Sequence, residues 1–203
     1  METILMVKKN QIKVELRSAK IPYLGLIAEH FWFVIINNND HKERWEVWQK
    51  PDCCNTSWGH LHQDLLPFDS AVGTGMSSVE SVFEGKNALA LKAVIRQSKV
   101  NYKNRNCYYY WPGPNSNTYV QTMLNKAKID FFLPPTAIGK DYYGWYDYSK
   151  QLNITRISTL ILGIKIWHGH QYELNLLSLT FGVHLKPFKI IHPFSRYHNS
   201  EKV

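Results

Sequence analysis

The sequence predicts an α+β fold, an antiparallel sheet with a few packed helices, on two observations from its 203 residues. Strand-type runs lie on both sides of two helix-type segments. The order also lacks the regular β-α alternation that marks a parallel sheet. No internal repeat or low-complexity tract breaks the chain, and its length suits one domain over 1–203 with a core over about 10–185. A chain of this size hides about 70% of its unfolded surface, so it needs no disulfide staples.

In chain order, Ile12, Val14 and Leu16 alternate with Lys13, Glu15 and Arg17, the period-2 pattern of a half-buried strand. Residues 26–36 are β-branched and aromatic, and Asn37-Asn38-Asn39-Asp40 supplies turn chemistry. Residues 44–49 follow as a partner strand, so 26–49 reads as a hairpin with a loose loop. Residues 51–75 read as irregular. Ala88, Leu91, Val94 and Ile95 recur at helical spacing and predict a helix from about 78 or 86 to 98. Tyr108-Tyr109-Tyr110-Trp111 reads as a strand stopped by Pro112-Gly113-Pro114. Residues 116–127 form a helix pattern, with Asn115 or Ser116 as N-cap and Tyr119, Val120, Met123, Leu124 and Ala127 as its apolar stripe. Residues 133–144 read as a loop. The β-rich runs 157–167 and 172–183 flank His168-Gly169-His170 as a second hairpin, and the polar tail 187–203 is expected to be loose.

Lys and Arg number 24 against 16 Asp and Glu, a net charge of +8. That field favours anionic partners. The basic residues form no block, however, so nucleic acid is not the expected partner. The 14% aromatic content predicts a core or groove with aromatic walls. The three cysteines include the adjacent pair Cys53-Cys54, which gives no disulfide framework and points to a reducing compartment. The N-terminus lacks the order of a signal peptide. The longest apolar run, 24–36, is interrupted by Glu29 and His30 and is too short to span a bilayer. The expectation is a soluble, cytoplasmic protein; its oligomeric state is left open.

Ser116 is the first candidate for chemistry. Pro112-Gly113-Pro114 turns the chain sharply just before a helix starts, and the first N–H groups of a helix lack intrahelical partners. A hydroxyl there can cap the helix, or act as a nucleophile with a base in reach. His30, within an otherwise apolar strand, is the candidate base or a core histidine held by a backbone carbonyl. Glu46 and Gln49 lie on the partner strand, and register decides which one orients the ring. Asn115, Asn117 and Trp111 flank the serine as candidate binding residues. His60 and His62 are further candidates, with both rings on one face of a strand. Joined to Cys53 and Cys54 they lack the separated Cys-x-x-Cys pairs of a zinc site, so no metal and no cofactor is expected. Lys140-Asp141 reads as a surface ion pair or a substrate clamp, and Cys107 as a second thiol of either reactive or inert character.

Four strings carry a resemblance: Glu29-His30-Phe31-Trp32-Phe33-Val34, Trp111 to Tyr119, Leu133 to Tyr142 and Leu174 to Gly182. Over about 25–185 the chain resembles a bacterial family, domain of unknown function 3750, which implies no established activity. More remotely, His30 and Asn115-Ser116-Asn117-Thr118-Tyr119 resemble the strand histidine and helix-start nucleophile of circularly permuted papain-like hydrolases, the lecithin–retinol acyltransferase-like proteins among them. That resemblance implies a hydrolase or acyltransferase acting on a small-molecule or peptide-like substrate. Serine stands here where that family has cysteine, so the proton must leave during attack and not beforehand. The alternative is a non-catalytic binding module for an anionic or peptide-like ligand on the same fold.

Overall fold

The computed structural model describes residues 12–73, 76–150, 152–177 and 179–195. Their architecture is α+β, two antiparallel six-stranded sheets and two helices. The first sheet holds β1 (Lys13–Lys20), β2 (Glu29–Ile36), β3 (Lys42–Val47), the short β4 (Ser57–Trp58) and β5 (Leu61–Gln63), and β6 (Ser78–Phe83), in the order β4-β5-β3-β2-β1-β6. Helices α1 (Gly85–Asn101) and α2 (Ser116–Lys126) follow. The second sheet is a meander of β7 (Tyr146–Ser149), β8 (Ile154–Ser158), β9 (Leu162–Trp167), β10 (Gln171–Leu176), β11 (Leu179–Leu185) and β12 (Phe188–Ile191), each strand pairing with the next.

The period-2 pattern explains which face of the first sheet is buried where. Phe31, Phe33 and Ile35 of β2 join Val14, Leu16, Trp45 and Val47 in the main core. Ala88, Leu91 and Ile95 of α1 and the Tyr119, Val120, Met123, Leu124 stripe of α2 close that core from the helix side. Alternate residues Trp32 and Val34 point to the other face, which is covered by Phe68, Ala71 and Val72 of the segment after β5. β2 is therefore buried on both faces, which is why its sequence from Phe31 to Ile36 is a continuous apolar run.

Several expectations change. Residues 78–83 form strand β6 against β1, so the helix begins at the later of its two expected positions. Gly85, at φ +57°, makes the break between them. Residues 108–111 form no strand: Tyr109 N–H bonds Pro114 O at 2.8 Å, folding the tyrosines back on the turn before α2. Within the irregular 51–75 stretch lie the short strands β4 and β5. The tail beyond Pro187 begins with strand β12, and residues 196–203 lie outside the described residues.

The second sheet has the opposite polarity to the first. Its inward side chains include Arg156, Lys165, Gln171, Glu173 and Thr180, all buried. The cross-strand row Tyr146–Ile157–Ile164–Leu174–Phe181 lies on its outward face. No helix among the described residues is long and apolar enough to cross a membrane.

Candidate functional site

His30 and Glu46 meet on the face of the first sheet opposite the helices. The N–H at His30 Nε2 donates to Glu46 Oε2 at 2.9 Å, with both side chains buried. β2 and β3 pair from Ile36–Lys42 to Phe33–Trp45, so the carboxylate of β3 lies diagonally from the imidazole of β2. This register selects Glu46, and not Gln49, as the imidazole's partner. Glu46 also accepts from Arg44, whose Nε lies 2.7 Å from Oε1 and whose second guanidinium nitrogen lies 2.9 Å from Oε2. Arg44 in turn is stacked 4.1 Å from the Trp32 ring centroid and donates to Pro67 O and Ser70 O at 2.9 and 2.6 Å. Burial alone would raise the Glu46 pKa. The hydrogen bond and charge of His30 and the charge of Arg44 outweigh it and hold the carboxyl below its ordinary value. The sequence signal for Arg44 was its spacing: two residues before Glu46, it shares that strand face.

The helix start meets the main chain of β2 on either side of His30, where the sheet opens. Beyond Phe33–Trp45 the β2–β3 ladder ends, and the side chain of Asn117 takes the place of a strand. Its Oδ1 accepts from Phe31 N at 3.1 Å, and its Nδ2 donates to Glu29 O at 2.9 Å and Ile138 O at 3.0 Å. One amide thus grips the main chain on both sides of His30. The Ser116 hydroxyl donates to the same Asn117 Oδ1 at 3.4 Å, so serine and Phe31 amide share an acceptor. Ser116 is 4% exposed and His30 5%. The His30 ring lies 5.4 Å from that of Trp48. Its Nδ1 has no hydrogen-bond partner among the described residues, and no direct hydrogen bond joins the ring to Ser116.

Asn115 is the N-cap. Its Oδ1 accepts from Asn117 N and Thr118 N at 3.0 and 3.2 Å. Thr118 Oγ1 accepts from Asn115 N at 3.1 Å, which closes a capping box. The sequence suggested several free N–H groups here. The cap uses two of them, and the N–H of Ser116 itself is the one left without a partner among the described residues. Gly139, at φ +83°, lies so close to the Asn115 amide that a Cβ there would collide with it. Only a residue without a side chain accepts that backbone and that approach. The glycine lets the 133–144 loop close over the cap.

Gln49 lines an open groove of about 570 Å³ with Lys50, Tyr108, Tyr109, Tyr110 and Trp111. The groove lies between the end of β3 and the turn before Ser116, and the Trp111 indole donates to Leu160 O. His60 is stacked 5.7 Å from Tyr108 and its Nδ1 is 2.8 Å from Trp48 O. His62 is buried opposite Glu46 in the β3–β5 register. Both His62 nitrogens are engaged, Nδ1 by Ser57 Oγ at 2.7 Å and Nε2 by Lys50 O at 3.0 Å. Burial is the first cause that lowers its pKa. Among the described residues, no group of three or more His, Cys, Asp or Glu is arranged to hold a metal. Cys53 and Cys107 are exposed.

Lys140 and Asp141 are not at the surface. Lys140, 3% exposed, pairs with Asp141 and with Glu173 of β10 at 2.9 Å. Lys165 Nζ lies 3.3 Å from Asp141, and Arg156 pairs with Asp147 at 2.7 Å. Burial opposes charge on Lys140, but Asp141 and Glu173 raise its pKa above the ordinary lysine value. Burial would also raise the Asp141 pKa; Lys140, Lys165 and Arg156 instead hold it far below the usual carboxylate range. Burial pushes Lys165 down. These charges join the 133–144 loop to the inward face of the second sheet, and Lys140 is spoken for by carboxylates of its own chain.

Over residues 11–142 the chain matches the model of the family described as Protein of unknown function (DUF3750), and it belongs to that family. The matched span takes in the first sheet, both helices and the loop over the cap, and stops short of β7. Comparison with the curated proteins gives no match. Comparison with the solved structures gives none either.

Proposed function

We propose that the protein is a hydrolase or acyltransferase of permuted papain-like architecture, with Ser116 as nucleophile, His30 as general base and Glu46 as the positioning group. The observation that supports it is the Asn117 clamp, which ties the helix-start serine to the main chain of a histidine whose far nitrogen is held by a buried carboxylate. With Nε2–H fixed on Glu46, Nδ1 is the nitrogen left to accept a proton.

In this reading Ser116 Oγ attacks an acyl carbon as its proton passes to His30 Nδ1, and the C=O electrons move onto oxygen. The Ser116 N–H donates to that oxyanion. Glu46 stabilises the imidazolium, which then returns the proton to the leaving group as the C–X bond breaks. Water, or an acceptor alcohol or amine, repeats the steps on the acyl-serine. The groove at Gln49 and Tyr108 to Trp111 suits a small or peptide-like substrate, its aromatic walls supplying area and its amide a polar contact.

A second reading, a non-catalytic binding module on the same fold, draws support from the cap, which leaves a single main-chain donor at the helix start. A fluorophosphonate probe separates the two. The enzyme reading expects Ser116 labelling that disappears in Ser116→Ala and falls about a hundredfold in His30→Ala, the usual scale of general-base loss. Folded wild-type protein that takes up no label, or labels equally well in Ser116→Ala, overturns that reading.

A further inference from the structure

We propose that the outward face of the second sheet docks on an anionic lipid bilayer surface. A soluble antiparallel sheet normally turns its apolar face to the core and its polar face to water. Here the alternation is reversed. On β7–β12 every outward side chain except Thr155 is aliphatic or aromatic, while the inward positions carry the Lys140–Asp141–Arg156–Lys165–Glu173 charges. Leu174 and Phe181, directly opposite one another, are 43% and 44% exposed, and Phe188 and Ile190 at the edge are exposed further still.

Charge selects the occupant. Residues 145–195 contain two carboxylates, Asp147 and Glu173, and both are paired with cations on the inward side. Lys150 in the β7–β8 connection and Lys186 in the β11–β12 turn are exposed at the margins of the sheet. An apolar face with tyrosines and phenylalanines, basic margins and no free carboxylate complements an interface of acyl chains and anionic headgroups. A second copy would bring like-charged margins together. Six strands about 4.8 Å apart, some five residues long at about 3.3 Å each, give a face of about 500 Å². That footprint is large enough for interfacial lipid contact.

The test is co-sedimentation of the full chain with phosphatidylglycerol–phosphatidylcholine vesicles and with phosphatidylcholine vesicles alone. Sedimentation velocity without lipid runs in parallel. The expected result is binding to the anionic vesicles that weakens with salt. It falls at least about tenfold in Leu174→Glu/Phe181→Glu and severalfold in Lys150→Glu/Lys186→Glu. Should the first pair fail to fold by circular dichroism, the lysine pair and a reporter on the outward row decide: quenching in Tyr146→Trp, above the wild-type level, by lipids brominated in their acyl chains. Wild type that ignores anionic vesicles, or binding indifferent to the variants and unquenched, overturns the proposal. So does a lipid-free dimer that the Leu174→Glu/Phe181→Glu pair dissociates while vesicle binding is absent.

Discussion

The imidazole of His30 and the carboxylate of Glu46 form a 2.9 Å hydrogen bond on the face of the first sheet that the helices do not cover. The carboxylate is shared with Arg44, so three ionisable groups form one buried unit.

Removing the middle member leaves the other two without a counter-charge. Glu46→Ala is expected to destabilise by about 3–5 kcal/mol, the scale for breaking a buried pair from one side. Urea unfolding checks this. Glu46→Gln keeps the shape and loses less stability. Under the proposed mechanism it still depresses kcat more than KM, since the amide cannot stabilise an imidazolium.

The acid limb of stability follows from the same group. The folded Glu46 pKa lies below its ordinary value of 4.5, so its contribution is fully present above about pH 4.5. It is lost as pH falls through the folded value. A plot of urea midpoint against pH should therefore drop below about pH 4.5 in wild type and drop less steeply in Glu46→Gln. Equal slopes would show that other carboxylates carry the acid sensitivity.

Asn117→Ala removes the acceptor of the Phe31 amide and the donor to Glu29 O. Those two buried groups left unpaired at about 1–3 kcal/mol each predict a total of about 2–6 kcal/mol. Hydrogen exchange at the Phe31 amide should rise more than at Phe33, which β3 continues to hold. Equal acceleration at both sites would mean global unfolding and not release of the clamp.

Within the second sheet, Lys140→Met strands Asp141 and Glu173 beside the remaining cations, and a loss of about 3–5 kcal/mol is expected, roughly 10 °C in Tm for a chain of this size. The wild-type contribution has the opposite pH sign to that of Glu46. The Lys140 pKa is raised above its ordinary value of 10.5, so its stabilisation is present below that value and lost as pH rises through the folded one. Above about pH 10.5 the urea midpoint should therefore fall more steeply in wild type than in Lys140→Met. Parallel curves would assign the alkaline loss to other groups.

The parts legible in the sequence were those set by neighbours along the chain. The alternation of 12–17 makes β1, the Asn37–Asp40 turn makes the β2–β3 hairpin, and the stripe from Tyr119 to Leu124 makes α2. Residues 78–83 were ambiguous because Val79, Val82 and Phe83 suit either period, and only pairing with β1 decides. The tyrosine run looked strand-like because propensity does not say whether a partner strand exists. Glu46 or Gln49 was a question of register, which no local signal carries. The burial of Lys140 depended on β9 and β10, more than twenty residues away. The β-rich runs 157–167 and 172–183 pointed to strands but not to which of their faces meets the core.

Asn117 reaches back 86 residues to Phe31 and 88 to Glu29. Closing so long a loop costs entropy that local contacts do not return, so such pairings form late in folding. A hairpin that folds early during synthesis therefore carries His30 and Glu46 together but has no serine beside them. Under the proposed mechanism, chemistry at this site begins only once the second helix has docked, so no partly folded species on the way there acts on its neighbours.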